Sequence, residues 1–375
     1  MGQTPLRATN VGAIALAALG CACLPATTPP TRDTAFYIGT TTSLNPPGLL
    51  EYKPRETALP ATESGGDRVW AGTRDGHVFA LRNGRQLWNK ELDGAVLGGV
   101  TYDETLETIY VGTGGGTLYA LNAVTGEGRW SYVAHEEIMT APTVAEGAVY
   151  VQSSAGTLFA VDQATGAFRW KHTREPTGTF SIRGEARPVA HGDLVYGAFA
   201  DGHVEAFAAA DGSVRWDKAV VPAGDYVDVD ALVLKDGVLY AAAYSKDVVA
   251  LNPATGEVNW RAALLGASRI AGDGPRLIAV GTGEIQGLRR RDGKVLWSYK
   301  LPGAAPPFAT SPVVVEDTAV VSIDGGALLF LDAVTGQLRD AFDPGAGFSA
   351  PVAALGRALF VVSNGGVLYG LGLLP

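Results

Sequence analysis

A glycine followed four residues later by a tryptophan recurs six times in this chain: Gly84/Trp88, Gly126/Trp130, Gly166/Trp170, Gly212/Trp216, Gly256/Trp260 and Gly293/Trp297. Each pair closes a segment of one kind, as in "TLYALNAVTGEGRW" and "TLFAVDQATGAFRW": an alternating apolar run, a turn, then a second run that carries the indole. Another apolar run stands upstream, as in "TIYVG", and a third before that, as in "APTVAEGAVYV". Short apolar or alternating runs bounded by Gly-containing turns read as strands in antiparallel hairpins. One unit is therefore four strands: A like Pro142–Ala145, B like Ala148–Gln152, C like Thr117–Asn122 and D like Gly128–Tyr132. The tryptophans are 42, 40, 46, 44 and 37 residues apart.

Four antiparallel strands per forty-odd residues, repeated along a chain, predict a β-propeller. A lone four-stranded sheet cannot bury both its faces; a ring of them can, and it protects the blade edges as well. Six tryptophans give six blades, and a seventh unit has Gly336 in "LDAVTGQLRD" with Asp340 in the tryptophan position. The last unit, "APVAALGRALFVVSNGGVLYGLGLLP", stops after strand C. In "PPGLLEY", Gly48 and Tyr52 keep the spacing of four, so residues near 48–53 are expected to supply the missing strand. The predicted fold is all-β: one eight-bladed propeller over 48–375, closed by an N-terminal strand, without a substantial helix.

The other features exclude more than they assign. Net charge is −9, so the positive footprint of a nucleic-acid-binding surface is absent. The basic run Arg289–Arg291 leads into Asp292-Gly293 and reads as a hairpin end. Both cysteines, Cys21 and Cys23, precede the repeats, which leaves the folded part without a disulfide, a thiol nucleophile or a thiolate metal site. The apolar run Val11–Leu24 is 14 residues, too short to span a bilayer but suited to a signal peptide. Ala18-Leu19-Gly20-Cys21 resembles a lipoprotein signal. Residues 1–20 then form the signal peptide, Cys21 is the acylated first residue, and 21–47, rich in Thr and Pro, form a tether. Cys23 is the poorer acylation candidate, and an ordinary cleaved signal with two incidental cysteines is the alternative.

Grouped catalytic chemistry is missing. The histidines (77, 135, 172, 191 and 203) show no metal-ligand spacing, and His77 and His203 flank turns at matching repeat positions. "VGTGGGTLYAL" continues into a strand, whereas a phosphate cradle needs a helix N-terminus. His135-Glu136-Glu137 reads as a solvated connection. No catalytic residue, cofactor or metal is expected.

One stretch departs from the repeat: "TGTFSIRGEARP", residues 177–188. It falls in the D–A connection of about 174–185, and a second lengthened connection of about 220–230 follows in the next blade. Such connections share one propeller face with the B–C turns, and interaction concentrates on loops over a rigid scaffold. Phe180 and Ile182, two apart, point the same way in extended chain, with Arg183 beside them. They form an apolar anchor with an orienting charge, or they fold down over the rim. Arg183 and Asp228 precede strand A of neighbouring blades and can pair across the junction. "VDVD" with Asp225 is too sparse for calcium.

The repeats resemble the quinoprotein-type (PQQ-like) propeller family, in which the strand-D tryptophan packs between blades. The quinoprotein dehydrogenases of that group carry an adjacent Cys-Cys disulfide that this chain lacks. "SIRGEARPVAHGDLVYGAFADGHVEAF" and "YVDVDALVLKDGVLYAAAY" are similar to the outer-membrane β-barrel assembly lipoprotein family, BamB. That resemblance implies a non-catalytic scaffold, lipid-anchored to the outer membrane and facing the periplasm. It implies binding to the periplasmic POTRA-type domains of the barrel subunit and to nascent outer-membrane proteins, with Phe180, Ile182, Arg183, Asp228 and Asp230 as partner-binding residues. Phe180 and Ile182 stand where the family has leucines. A quinoprotein-like oxidoreductase and a ligand-binding surface lipoprotein are the alternative functions.

Overall fold

The computed structural model describes residues 34–45, 55–65, 67–174, 186–221, 228–244, 246–302 and 308–375. They form eight four-stranded antiparallel sheets, arranged as the blades of a propeller, and no helix occurs among them. Blades 1 to 7 cover residues 61–91, 100–133, 143–173, 189–219, 229–263, 269–300 and 313–342, and blade 8 covers 353–373 with a strand from the N-terminal side.

Burial across a blade explains the sequence pattern. In blade 3, strand B (Ala148–Gln152) is buried at every position and strand C (Thr157–Asp162) at all but the last. Both faces of these strands meet neighbouring blades, so their sequences are nearly continuous apolar runs. Strand D (Phe168–Thr173) lies outermost and buries only Trp170.

The glycine–tryptophan spacing is a contact between blades. Each indole lies over the C–D turn glycine of the following blade: Trp88 on Gly126, Trp130 on Gly166, Trp170 on Gly212, Trp216 on Gly256, Trp260 on Gly293 and Trp297 on Gly336. These six glycines have φ of 71–75°, and a Cβ on any of them would sit 2.5–2.8 Å from the indole. The turn needs the left-handed conformation and the indole needs the missing side chain, so glycine meets two demands at once. Each indole N–H also donates to the carbonyl three residues before that glycine, at 2.8–3.3 Å: Ala123, Gln163, Ala209, Pro253, Arg290 and Ala333 in ring order.

The ring closes earlier in the chain than expected. Strand D of blade 8 is Phe36–Ser43, paired antiparallel with Val367–Leu373, and the compact unit is Thr34–Pro375. The expected strand at 48–53 lies outside the described residues, and its place in the sheet is taken. Phe36 stacks on Phe330 of blade 7 at 4.6 Å, whereas "PPGLLEYKP" carries three prolines that cannot donate to a ladder. Part of the segment read as a tether therefore belongs to the ring.

The same closure explains Asp340. Strands C (Val367–Leu373) and D (Phe36–Ser43) of blade 8 are far apart in sequence and share no C–D turn, so a tryptophan at 340 would have no turn glycine to cover. Asp340 instead accepts a hydrogen bond from the Ala35 backbone N–H at 3.1 Å, where the closing strand begins.

Candidate docking face

The D–A connections and B–C turns form one face, and acidic side chains fasten them together. Asp93, leading into blade 2, accepts hydrogen bonds from Thr113 Oγ1 at 2.6 Å and Thr117 Oγ1 at 2.5 Å. Glu136 accepts from Ser153 and Glu137 from Ser154, so this pair, read as solvated from sequence, is tied to the B–C turn of blade 3. Glu56 accepts from the Arg74 backbone N–H at 2.9 Å. Each connection is thereby anchored to the next blade, which makes the face a preorganised surface.

Glu56 is 1% exposed, and burial pushes its carboxyl up to about 7. Its folded-state pKa is above the unfolded one, so its contribution to stability is intact below about pH 4.5 and is lost as pH rises to about 7. Glu56→Gln should therefore raise the denaturation midpoint at pH 8 by the equivalent of up to about 3 kcal/mol and change little at pH 4.5. Urea titrations at the two pH values check this; equal effects at both would refute it.

Phe180, Ile182 and Arg183 lie outside the described residues, as does Cys21. The two ends of their connection are described, and each carries an arginine that grips a different neighbour. Arg174, after strand D of blade 3, reaches forward into blade 4. It pairs with Asp201 and Glu205 and, at 3.0 Å, with Asp217. His172 meets Glu205 at 3.0 Å and His203 meets Asp217 at 2.5 Å. Arg187, before strand A of blade 4, reaches back. It donates to Thr143 Oγ1 at 3.0 Å, Pro142 O at 2.7 Å and Thr101 Oγ1 at 3.3 Å, on the inner strands of blades 3 and 2.

Burial opposes the charge on Arg174, but the hydrogen bonds and fields of its carboxylates overcome it and hold the guanidinium charged. Burial raises the Glu205 carboxyl against the pull of His172 and Arg174. Asp217 is also opposed by burial, yet His203 and Arg174 lower it. The sequence reading missed this network. A signal was present: Glu205 pairs with Asp217 in the C–D register where other blades put Phe79, Tyr119 or Phe159. A glutamate in an aromatic position of a buried strand requires a partner.

Asp228 and Asp230, expected as partner-binding residues, have different surroundings. Asp228 is 2% exposed, and its carbonyl accepts the Tyr244 backbone N–H at 3.0 Å. Asp230 falls where strand A of blade 5 (Val229–Lys235) slips register, between Val229↔Ala243 and Ala231↔Ala242. Its backbone carbonyl accepts from Arg269 at 3.4 Å. It lines the central channel, a cavity of about 560 Å³ walled by residues at the inner strands of the blades. Arg55, Arg74, Arg187 and Arg269 also line the channel, with Asp324 bound to Arg55. Among the described residues no cluster of three His, Cys, Asp or Glu is placed to hold a metal ion.

The ring, its indole clasps and the anchored connections define an eight-bladed PQQ-like propeller built to present one face. The sequence profile of the family described as outer membrane protein assembly factor BamB matches residues 74–250 and 227–343, and this chain belongs to that family. Over 322 residues it is 32% identical to the BamB proteins of Escherichia coli and Salmonella typhimurium, covering 80% of this chain and 81% of each of theirs. It is 29% identical to that of Yersinia pestis over 326 residues, with the same coverage. The crystal structure of BamB from Moraxella catarrhalis superposes with a TM-score of 0.77 at 22% identity, over 90% of this chain and 100% of that one. A quinohemoprotein alcohol dehydrogenase from Pseudomonas putida shares the fold, with a TM-score of 0.71 at 13% identity. These relatives are named as outer membrane protein assembly factors.

Proposed function

We propose that this chain is a scaffold of outer-membrane β-barrel protein assembly. It is acylated at Cys21, held at the outer membrane by a short tether, and faces the periplasm. It binds the periplasmic POTRA-type domains of the barrel subunit and assists nascent outer-membrane proteins, with no cofactor. The observation that carries this reading is identity of about a third with curated assembly factors over four-fifths of their length. The docking surface is the connection bearing Phe180, Ile182 and Arg183, pinned at both ends by Arg174 and Arg187. Asp230, which lines the channel, is a further partner-binding residue. Asp228 is buried, and it acts on that surface from beneath rather than by direct exposure.

Pull-down from solubilised envelope tests the proposal: the barrel subunit should be recovered with the wild type, and its absence would refute the scaffold role. Arg183→Glu should weaken binding of the purified periplasmic domains about 30-fold or more, the scale of a hot-spot residue. The thermal midpoint should move by less than about 2 °C, as for a surface change. A large fall in midpoint would instead assign Arg183 a structural role. Cys21→Ser should abolish labelling by a fatty-acid probe; undiminished labelling would move the anchor to Cys23.

A further inference from the structure

The junction between blades 8 and 1 lacks an indole. At six junctions strand D supplies a tryptophan after a one-residue bulge, paired across to strand C, as in Ala80↔Trp88 and Ala160↔Trp170. The closing strand has the same bulge, at Gly39, and the residue in the indole position is Thr40, paired with Gly370. The wall is otherwise the same. Ile109↔Leu121 faces Trp88, and its counterpart here is Val69↔Leu81; Trp70↔Ala80 lies beneath, and its counterpart is Phe360↔Gly370. Thr40 rests against Gly84 as the indoles rest against their glycines. Its side chain is much the smaller, and a cleft of about 420 Å³ opens beside it.

The hydrogen-bonding side of the site has changed too. Blade 1 makes its C–D turn with only Asn83 and Gly84, both at positive φ, two residues fewer than the turn of blade 2. The Gly84 carbonyl accepts from Thr42 Oγ1 at 2.7 Å. The cleft is thus lined by Val69, Leu81, Phe360, Leu368 and Leu371, with the exposed Tyr37 at its lip. Its volume falls within the range of small-molecule sites.

We infer that this seam is a binding site for a free planar aromatic molecule of indole size. The chain itself specifies the occupant: six equivalent positions in the same ring each hold an indole against the same kind of apolar wall. An aromatic ring entering beside Thr40 buries its faces against Phe360 and the aliphatic side chains and stacks over Gly84, restoring the contact that six of the other junctions make. Unlike the partner-docking face, this site lies at the A–B and C–D turns, so it is independent of the scaffold role.

Indole is the probe, titrated into the wild-type propeller with saturation-transfer and methyl NMR. Saturable binding near or below about a millimolar is expected for a ligand of this size. Methyl shifts should be confined to Val69, Leu81, Leu368 and Leu371. Thr40→Trp should fill the cleft, weaken indole binding at least tenfold and raise the thermal midpoint by about 2–4 °C. Thr40→Val should bind indole within twofold of the wild type. Absence of saturable binding, methyl shifts elsewhere, or unchanged binding by Thr40→Trp would each overturn the site; the methyl map decides the matter if Thr40→Trp does not fold.

Discussion

Trp170→Ala should destabilise the propeller by about 3–5 kcal/mol, the usual scale for deleting a buried large aromatic side chain. Trp170 is 5% exposed and packs among Tyr150, Leu158, Val195, Phe199 and Phe207 of blades 3 and 4. Its N–H bond to the Ala209 carbonyl, 2.9 Å long, leaves with it. The two blades lose their shared wall together, so the expected signature is a large drop in urea midpoint with one cooperative transition. The reciprocal change isolates the clasp. Gly212→Ala keeps the indole but places a methyl 2.6 Å from it on a backbone with φ of 73°, and should cost about 2 kcal/mol or more. Asp340→Ala removes the carboxylate's hydrogen bonds from the Ala35 and Ala341 backbone N–H groups and should cost about 1 kcal/mol. If Trp170→Ala cost no more than Asp340→Ala, the indole clasp would not be what holds adjacent blades.

Arg174→Met should be comparably severe, by about 3–5 kcal/mol at pH 7, because it strands carboxylates rather than removing apolar area. The side chains of Asp201 and Glu205 are 4% and 3% exposed, and both lose their guanidinium. The sign of the pH dependence follows from Glu205, which burial already raises. Without Arg174 that carboxyl rises further, and the variant folds by taking up a proton there. The deficit should therefore shrink as pH falls from 7 toward 5. Arg174→Lys keeps a charge but cannot reach three carboxylates with one planar fork, and should recover only part of the loss. A pH-independent deficit would show that packing, not charge, is the contribution of Arg174. Arg174 stands immediately before the connection proposed as the docking surface, so if that proposal holds, binding of the barrel subunit's periplasmic domains should weaken in the same variants.

Much of the architecture was legible because one unit is written repeatedly. Apolar and alternating runs between Gly-containing turns marked the four strands of each unit, and the structure shows strands B and C buried on both faces. Asp340 and the truncated last unit were legible as departures from the repeat, but their reason was not: a contact between blades depends on where the ring is cut. The closing strand was misplaced by about ten residues, since Gly48 and Tyr52 reproduced the spacing but not the pairing capacity of a strand. The Arg174 network escaped notice because His172, Arg174, Asp201, Glu205 and Asp217 come from two blades and are spread over 46 positions. Each alone resembles an ordinary surface charge.

By itself the sequence determined the strand count, the blade unit and the number of blades, because hydrophobic period and turn chemistry are local properties of the chain. It also marked the unusual connection at 177–188 as a departure from the repeat. Tertiary structure alone decided what the glycine of each repeat is for. It also decided that Asp228 is buried while Asp230 borders the channel, and that Thr40 leaves a cleft at the seam. These are relations between blades, set by closing a ring of sheets on itself, and no window of a single strand contains both partners.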